Sequence, residues 1–405
     1  MLKRFIQSSK HFFPFMLSSR GVQGGSGSPS GLNCALAGKG VIVSDKVFKN
    51  LKSFELEQQG ATVADALSGL PIRVRGNVSE GAYGISKVTS HISSISNVFV
   101  HDGAIGSSPI CNAKVRVISD SPSAVLSLSN LLWETHNRAV SHDSCPLTVY
   151  VATSISPGVG EIIGLGSQET NGFIAADVER SSLVLCGKAF SDTNGTIKAL
   201  AALSEPIICA RGGLSLSARL LVVGDSVILL FAPENTFKSC ANKLVSPYAG
   251  VILSSQGLST LFRNGSSGGS NLFKFPASVI LASSDSSGII PRVSKLCPEQ
   301  AAYHFLAGYR NGNFVPAYSK GPSSIDPLEL AKALLSELKE NQISSFLVNV
   351  KEGEKRLTGK DFIELVASTL NKNIPPFEVK DNELEGKYKR FLSGKFQDLP
   401  EVFCF

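Results

Sequence analysis

Short, nearly unbroken apolar runs constrain this chain more than any other feature. They occur at Val98–Val100, Val115–Ile118, Thr148–Ala152, Ser182–Cys186, Leu220–Val223, Val227–Phe231, Val279–Ala282 and Phe346–Val350. Runs this brief are the length of strands, and their apolar content predicts that the strands are buried. Helical patterns lie between some of them. Ser121–Trp133 has apolar residues at helical spacing after a Ser-Pro start. Pro327–Asn341 has Pro in its first turn, Leu328, Leu330, Ala331, Leu334, Leu335 and Leu338 on one side, and Asn341 at its end. Thr358–Leu370 opens on a Thr-x-x-Asp capping pattern and continues with Phe362, Leu365, Val366 and Leu370. Irregular alternation of strand and helix predicts a mixed α/β chain of two lobes. Arg263–Asn271 reads as a flexible Gly/Ser loop, and no internal repeat is visible.

The 405 residues suffice for two or three domains. With 43% apolar and 18% charged residues the chain can bury a core, so wholesale disorder, collagen and coiled coil are excluded. No run reaches the roughly 18 apolar residues of a membrane span, and none is expected. The eight cysteines are Cys34, Cys111, Cys145, Cys186, Cys209, Cys240, Cys297 and Cys404. None forms a C-x-x-C pair, which argues against a zinc ribbon or redox motif and predicts buried, reduced thiols.

The formal net charge is +6, but Lys3, Arg4, Lys10 and Arg20 supply four of those charges, and no acid precedes Asp45. The body is near neutral, so no general nucleic-acid surface is expected. Residues 1–20 are basic, acid-free and Ser-rich, with bulky apolar side chains at Leu2, Phe5, Ile6, Phe12 and Phe13. That composition predicts a mitochondrial transit peptide and a location in the mitochondrion, in the matrix or a matrix-facing complex. The Gly/Ser stretch after it reads as a linker, with the folded body beginning near Leu32–Val41. The predicted division is 1–31 for transit peptide and flexible linker, 32–219 for an N-terminal lobe and 220–405 for a C-terminal lobe.

The stretch Phe275–Tyr309 carries a specific string: Asp285, Gly288, Pro291, Val293, Ser294, Leu296, Gln300, Tyr303, His304, Phe305, Leu306 and Gly308. It resembles the ATP-dependent phosphoenolpyruvate carboxykinase family, in which a strand ends in an Asp-x-x-Gly-x-x-Pro turn followed by Val-Ser-x-Leu and Tyr-His-Phe-Leu. Weaker echoes lie at Asn97–Ser119, Gly164–Gly187 and Phe346–Asn349. The resemblance implies a two-lobed carboxykinase-like scaffold with mixed sheets. It also implies a phosphate loop at Ala232–Cys240, where Lys238 and Ser239 stand at the places of the phosphate-contacting Lys and the metal-binding hydroxyl. These two are the candidate, remnant nucleotide-binding residues. The loop's glycines are replaced by Ala232, Asn235 and Phe237, Pro233 removes a donor, and Glu234 brings a negative charge.

The windows Phe190–Thr196, Ile208–Ser215 and Ala249–Leu258 lack the Lys, His and paired Asp that the resemblance would place there. The arginines expected near Gly76–Glu80 and between Arg310 and Ser319 are also missing. No catalytic residue, metal or cofactor is therefore assigned, and a chain without enzymatic activity is expected. The leading expectation is a structural or accessory subunit of a mitochondrial assembly, a ribosome or a respiratory or ATP synthase complex, with its other subunits as partners. The alternatives are a nucleotide sensor working through Lys238 and Ser239, or a divergent active carboxykinase. Tyr303 and His304 are expected in the core, Asp285 at a turn, and Arg292–Lys295 on a solvated edge. His136, His142 and Asp143 lack a third ligand or nucleophile.

Overall fold

The computed structural model describes residues 22–23, 29–70, 72–75, 78–135, 147–155, 172–264, 272–286, 290–310, 313–316, 325–352, 355–371, 373–378 and 382–405. The first part of the chain builds β1 (Val22–Gln23), α1 (Pro29–Ala37), β2 (Lys46–Lys49), α2 (Ser53–Gln58), β3 (Ile72–Arg75) and α3 (Val78–Ser93). These are followed by β4 (Asn97–Ile105), β5 (Ala113–Ser119), α4 (Pro122–Ser129), β6 (Trp133–Glu134), β7 (Leu147–Ala152), β8 (Gly172–Asp177), β9 (Ser182–Gly187) and α5 (Thr193–Ala210). Strands β1 to β9 form one sheet in the order β1-β2-β4-β5-β7-β9-β8-β3, with β6 paired to β4. Parallel and antiparallel pairs mix within it: β5 and β7 run parallel, β4 and β5 antiparallel.

This sheet shows why its strands read as continuous apolar runs. Successive residues of a strand point to opposite faces, and here both faces are covered. Val115, Val117, Val149, Val151, Leu183 and Leu185 enter one cluster, with Leu200 and Leu203 of α5. Ile118, Tyr150, Val184 and Cys186 enter the cluster on the other side, with Val88 and Ile92 of α3. A sheet covered on both faces has no polar side to alternate with.

The second part repeats the arrangement. It contains β10 (Leu214–Leu216), β11 (Arg219–Val223), β12 (Ser226–Phe231), α6 (Glu234–Ser239), β13 (Val251–Ser254), β14 (Gly257–Thr260), β15 (Leu272–Phe273), β16 (Ser278–Ser283) and β17 (Val293–Leu296). It continues with α7 (Pro298–Leu306), β18 (Ala307–Arg310), β19 (Asn313–Pro316), α8 (Pro327–Glu340), β20 (Ser344–Asn349), the short strands β21 (Lys351–Glu352) and β22 (Lys355–Arg356), α9 (Gly359–Asn371) and α10 (Asn382–Lys395). A five-stranded mixed sheet runs β11-β12-β16-β20-β17. Its centre is parallel, pairing Leu229 with Val279 and Ile280 with Phe346. The runs at Val227–Phe231, Val279–Ala282 and, as far as Asn349, Phe346–Val350 thus lie in one sheet. Leu229, Phe231, Val279, Leu281 and Leu347 face α7 and α8. Ile228, Leu230, Ile280, Ala282, Phe346 and Val348 face Phe237 of α6 and Phe362 and Val366 of α9. A four-stranded sheet, β10-β13-β14-β15, joins the two cores. Its Ile252 packs in the first, while the neighbours Val251 and Leu253 pack in the second.

Helix ends follow the capping residues. Asp326 accepts the Leu328 N–H at 2.7 Å with Pro327 next to it, and α8 ends at Asn341. Thr358 Oγ1 accepts the Asp361 N–H at 3.2 Å, and Asp361 accepts the Thr358 N–H at 3.2 Å, the reciprocal box that the Thr-x-x-Asp pattern predicted. The helix expected over Ser121–Trp133 stops at Ser129, because Trp133 pairs with Ala104 of β4 instead. The stretch read as linker also needs correction: Val22–Gln23 pairs with Val47–Phe48, and α1 already begins at Pro29. The Gly/Ser loop expected at Arg263–Asn271 lies outside the described residues beyond Asn264. The cysteines are not uniformly buried: Cys34, Cys209, Cys297 and Cys404 are exposed, and Cys111, Cys186 and Cys240 are buried. Among the described residues no helix is long and apolar enough to cross a membrane.

Candidate functional site

The carboxyl ends of β12, β16 and β20 lie side by side in the parallel centre of the second sheet. Ligands of open α/β sheets bind at this edge. Beyond Phe231 the chain turns through Ala232 and Pro233 into α6. Pro233 is extended, with φ −63° and ψ 151°, and its carbonyl accepts the Thr236 and Phe237 N–H groups at 2.9 and 3.3 Å. The turn is packed by its own side chains. Phe237 is buried, and the Arg219 guanidinium sits 4.1 Å above its ring. Arg219 also donates to both carboxylate oxygens of Glu234, at 3.2 and 3.0 Å. The charge of Glu234 is thus answered by an arginine from β11, a pairing the sequence reading did not anticipate.

Lys238 is exposed on the last turn of α6. The Ser239 hydroxyl donates to the Thr236 carbonyl at 2.7 Å. Ser239 lines a cavity of about 160 Å³ together with Asn235, Thr236, Ser284, Arg356 and Phe362, whereas Lys238 does not line it. The structure therefore separates the two residues that the sequence placed together. Gly359 permits the close approach of α9 to α6: a Cβ there would collide with the Ser239 carbonyl. Arg356 is the contribution that sequence reasoning missed. It follows the strand Phe346–Asn349 by only a few residues, and a cation beside hydroxyls at this edge suits an anionic ligand. Hydroxyls and a guanidinium do not fit a hard divalent cation, which takes carboxylate or carbonyl oxygens. Among the described residues no group of three or more His, Cys, Asp or Glu could hold a metal ion.

Asp285 closes the turn after β16 as expected: its carboxylate accepts the Ile290 N–H at 2.9 Å. Tyr303 and His304 are core residues, 2% and 3% exposed, inside a ring of Phe377, Tyr388 and Phe405. Burial pushes the His304 imidazole down to about 3 and the Tyr303 phenol up beyond its ordinary range. Arg292 and Lys295 are exposed at the β17 edge, where Lys295 hydrogen-bonds Pro375 and Phe377 through its backbone. His136, His142 and Asp143, and the windows around Gly76–Ser79 and residues 311–312 and 317–319, lie outside the described residues or their described side chains.

A second polar cavity, about 610 Å³, opens beside Lys52, His101, Asp102 and Glu134 of the first part of the chain and Arg263 of the second. Behind it Arg116 grips Asp102 through Nε and Nη2 at 2.7 and 3.1 Å, and Lys49 stands 3.4 Å from the same carboxylate. Asp102 and Arg116 each interrupt an apolar run, which was the available signal for this buried pair.

The two sheets, each buried between apolar clusters, and the strand–turn–helix at the parallel edge define a mixed α/β protein of the doubly covered kind. Residues 266–369 match the family model described as phosphoenolpyruvate carboxykinase, and through them the chain is related to that family. The phosphoenolpyruvate carboxykinase (ATP) of Leptospira biflexa is 30% identical over 122 residues, 25% of this chain and 23% of that protein. Those of Candida glabrata and Saccharomyces cerevisiae are 31% and 29% identical over 87 residues, 18% of this chain and 16% of each. The chain thus matches less than a quarter of the length of these relatives.

These comparisons correct the expectation of a chain without enzymatic activity. The relatives carry the name of an enzyme, and nothing in the described residues demonstrates inactivity. The expectation rested on residues missing from Phe190–Thr196, Ile208–Ser215, Ala232–Cys240 and Ala249–Leu258, near Gly76–Glu80 and between Arg310 and Ser319. All of these windows but the last lie before residue 266, outside the family match.

Proposed function

We propose that this chain serves as a structural or accessory subunit of a mitochondrial assembly, the ribosome or a respiratory or ATP synthase complex, built on a carboxykinase framework. The supporting observation is where the family likeness lies. Residues 266–369 run through β16, β17, α7, α8, β20 and α9, the elements that pack the second core, and not through the turn after β12. The acid-free basic leader supports the location. Affinity purification of the tagged full chain from mitochondria, followed by sizing, should recover it in a large defined assembly. A reporter fused to residues 1–30 should enter mitochondria. Recovery of the chain alone, or a reporter that stays cytosolic or enters the secretory route, overturns the reading.

The cavity at Ser239, Ser284 and Arg356 favours a second reading, the binding of a small phosphorylated or carboxylated ligand in the manner of the relatives' named activity. Incubation with oxaloacetate, ATP and manganese separates the two. Phosphoenolpyruvate formation that Ser239→Ala or Lys238→Ala abolishes selects the second reading.

A further inference from the structure

Cys297 and Cys404 are 107 residues apart in sequence, yet their sulfurs lie 3.9 Å apart on an exposed edge of the second core. Both are held by well-packed structure. Cys297 caps α7: the Gln300 N–H donates to its Sγ at 3.4 Å, and the Gln300 side chain accepts the Cys297 N–H at 3.1 Å. The Cys297 sulfur thus sits at the first turn of α7, and the residue is fixed by two hydrogen bonds with Gln300. Cys404 sits between Phe403 and Phe405, both buried. Phe405 packs on Tyr388 at 4.2 Å between ring centroids, and its carbonyl accepts from Gln300 Nε2 at 3.3 Å. One glutamine thus ties both cysteine-bearing segments together.

An ion pair borders the two thiols. Glu299 lies next to the pair, and Lys339 at 2.7 Å holds its carboxyl below the ordinary range. Burial, then the charge of Cys297 and a hydrogen bond with it, then Glu299, push the Cys404 thiol up to about 11. A thiol held protonated in this way is suited to act second.

We propose that Cys297 and Cys404 form a reversible thiol-modification site that reacts with low-molecular-weight disulfides of the glutathione class. The Cys297 thiolate attacks one sulfur of the small disulfide. That S–S bond breaks, one small thiolate leaves and takes up a proton, and a mixed disulfide forms on Cys297. Cys404 then loses its proton and attacks the Cys297 sulfur, releasing the second small thiol. The protein loses two hydrogens, and one small disulfide becomes two small thiols. The product clamps segment 403–405 to the start of α7 across the aromatic cluster of Tyr303, His304 and Tyr388.

The test uses the full chain, equilibrated in a series of glutathione to glutathione-disulfide ratios, acid-quenched, alkylated and mapped by mass spectrometry. The wild-type chain should yield a linked Cys297–Cys404 peptide, lost on returning to excess reduced glutathione, while exposed Cys34 and Cys209 carry only mixed disulfides or alkyl groups. Cys404→Ser should trap the mixed disulfide on Cys297, and Cys297→Ser should leave Cys404 reduced. Oxidation should raise the melting temperature of the wild type by several degrees and leave both variants unmoved. A chain in which Cys297 and Cys404 alkylate as freely as Cys34 and Cys209 at every ratio, with no linked peptide, overturns the proposal. So does a linked peptide that pairs Cys297 or Cys404 with other cysteines instead.

Discussion

Asn349, at the end of β20, accepts the Asp285 N–H through Oδ1 at 2.9 Å and returns a hydrogen bond from Nδ2 to the Asp285 carbonyl at 2.8 Å. The same Nδ2 reaches the Ile290 carbonyl at 3.4 Å, and both residues are nearly inaccessible to solvent. One amide side chain therefore satisfies the backbone where β16 leaves the sheet, at the rim of the candidate site.

Replacing Asn349 by Ala leaves those backbone groups buried without that partner. A buried group left unsatisfied costs about 1–3 kcal/mol, so Asn349→Ala should lower stability by roughly 2–3 kcal/mol. Urea unfolding measures this directly. A midpoint equal to wild type would show that the turn after β16 can rearrange to water at no cost.

The buried Asp102–Arg116 pair should dominate the stability of the first sheet. Removing one partner of a buried ion pair costs about 3–5 kcal/mol, because the other charge stays buried. Asp102→Ala should accelerate hydrogen exchange of the β4 and β5 amides accordingly. Unchanged protection of those amides would refute the assigned weight.

His304 predicts a specific pH dependence. Its Nε2 is buried with no hydrogen-bond partner among the described residues, and burial holds the ring neutral down to about pH 3. Below the ordinary value near 6.5, the unfolded chain takes up a proton that the folded chain refuses. Stability present above that pH is therefore lost as the pH falls, by up to about 1.4 kcal/mol per unit. At pH 5 the loss relative to pH 7 should be about 2 kcal/mol. His304→Leu should flatten this component of the profile. Identical pH profiles of the urea midpoint for wild type and variant would rule the assignment out.

The contact between α9 and α6 should tolerate no side chain at Gly359. A methyl group there meets the Ser239 carbonyl, and such overpacking typically costs about 1–3 kcal/mol. Gly359→Ala should destabilise by that amount and reshape the cavity beside Ser239 and Arg356. Phe237→Ala should cost about 3 kcal/mol, since it empties the space beneath Arg219. Calorimetric scans of the two variants check both values, and a wild-type melting temperature in either contradicts the packing described.

By itself, the sequence determined the eight strands that are nearly unbroken apolar runs and the best helices. A run such as Val279–Ala282 can satisfy neither face in water, and Asp326-Pro327 or Thr358-x-x-Asp361 starts a helix by local hydrogen bonds, so these features need no distant partner to be legible. The string from Asp285 to Gly308 likewise announced the carboxykinase relationship, which the family match over residues 266–369 carries. Only the tertiary structure decided that Arg219 answers Glu234, that Arg116 inside an apolar run is paired with Asp102, and that Cys297 meets Cys404. It also decided that Ser239 lines the cavity while Lys238 faces solvent, and that Trp133 joins β4 rather than a helix. Local propensity acts over a few residues of chain. Charge pairing, sulfur proximity and strand partnership depend on which segments the buried cores bring together, a property of the packed whole.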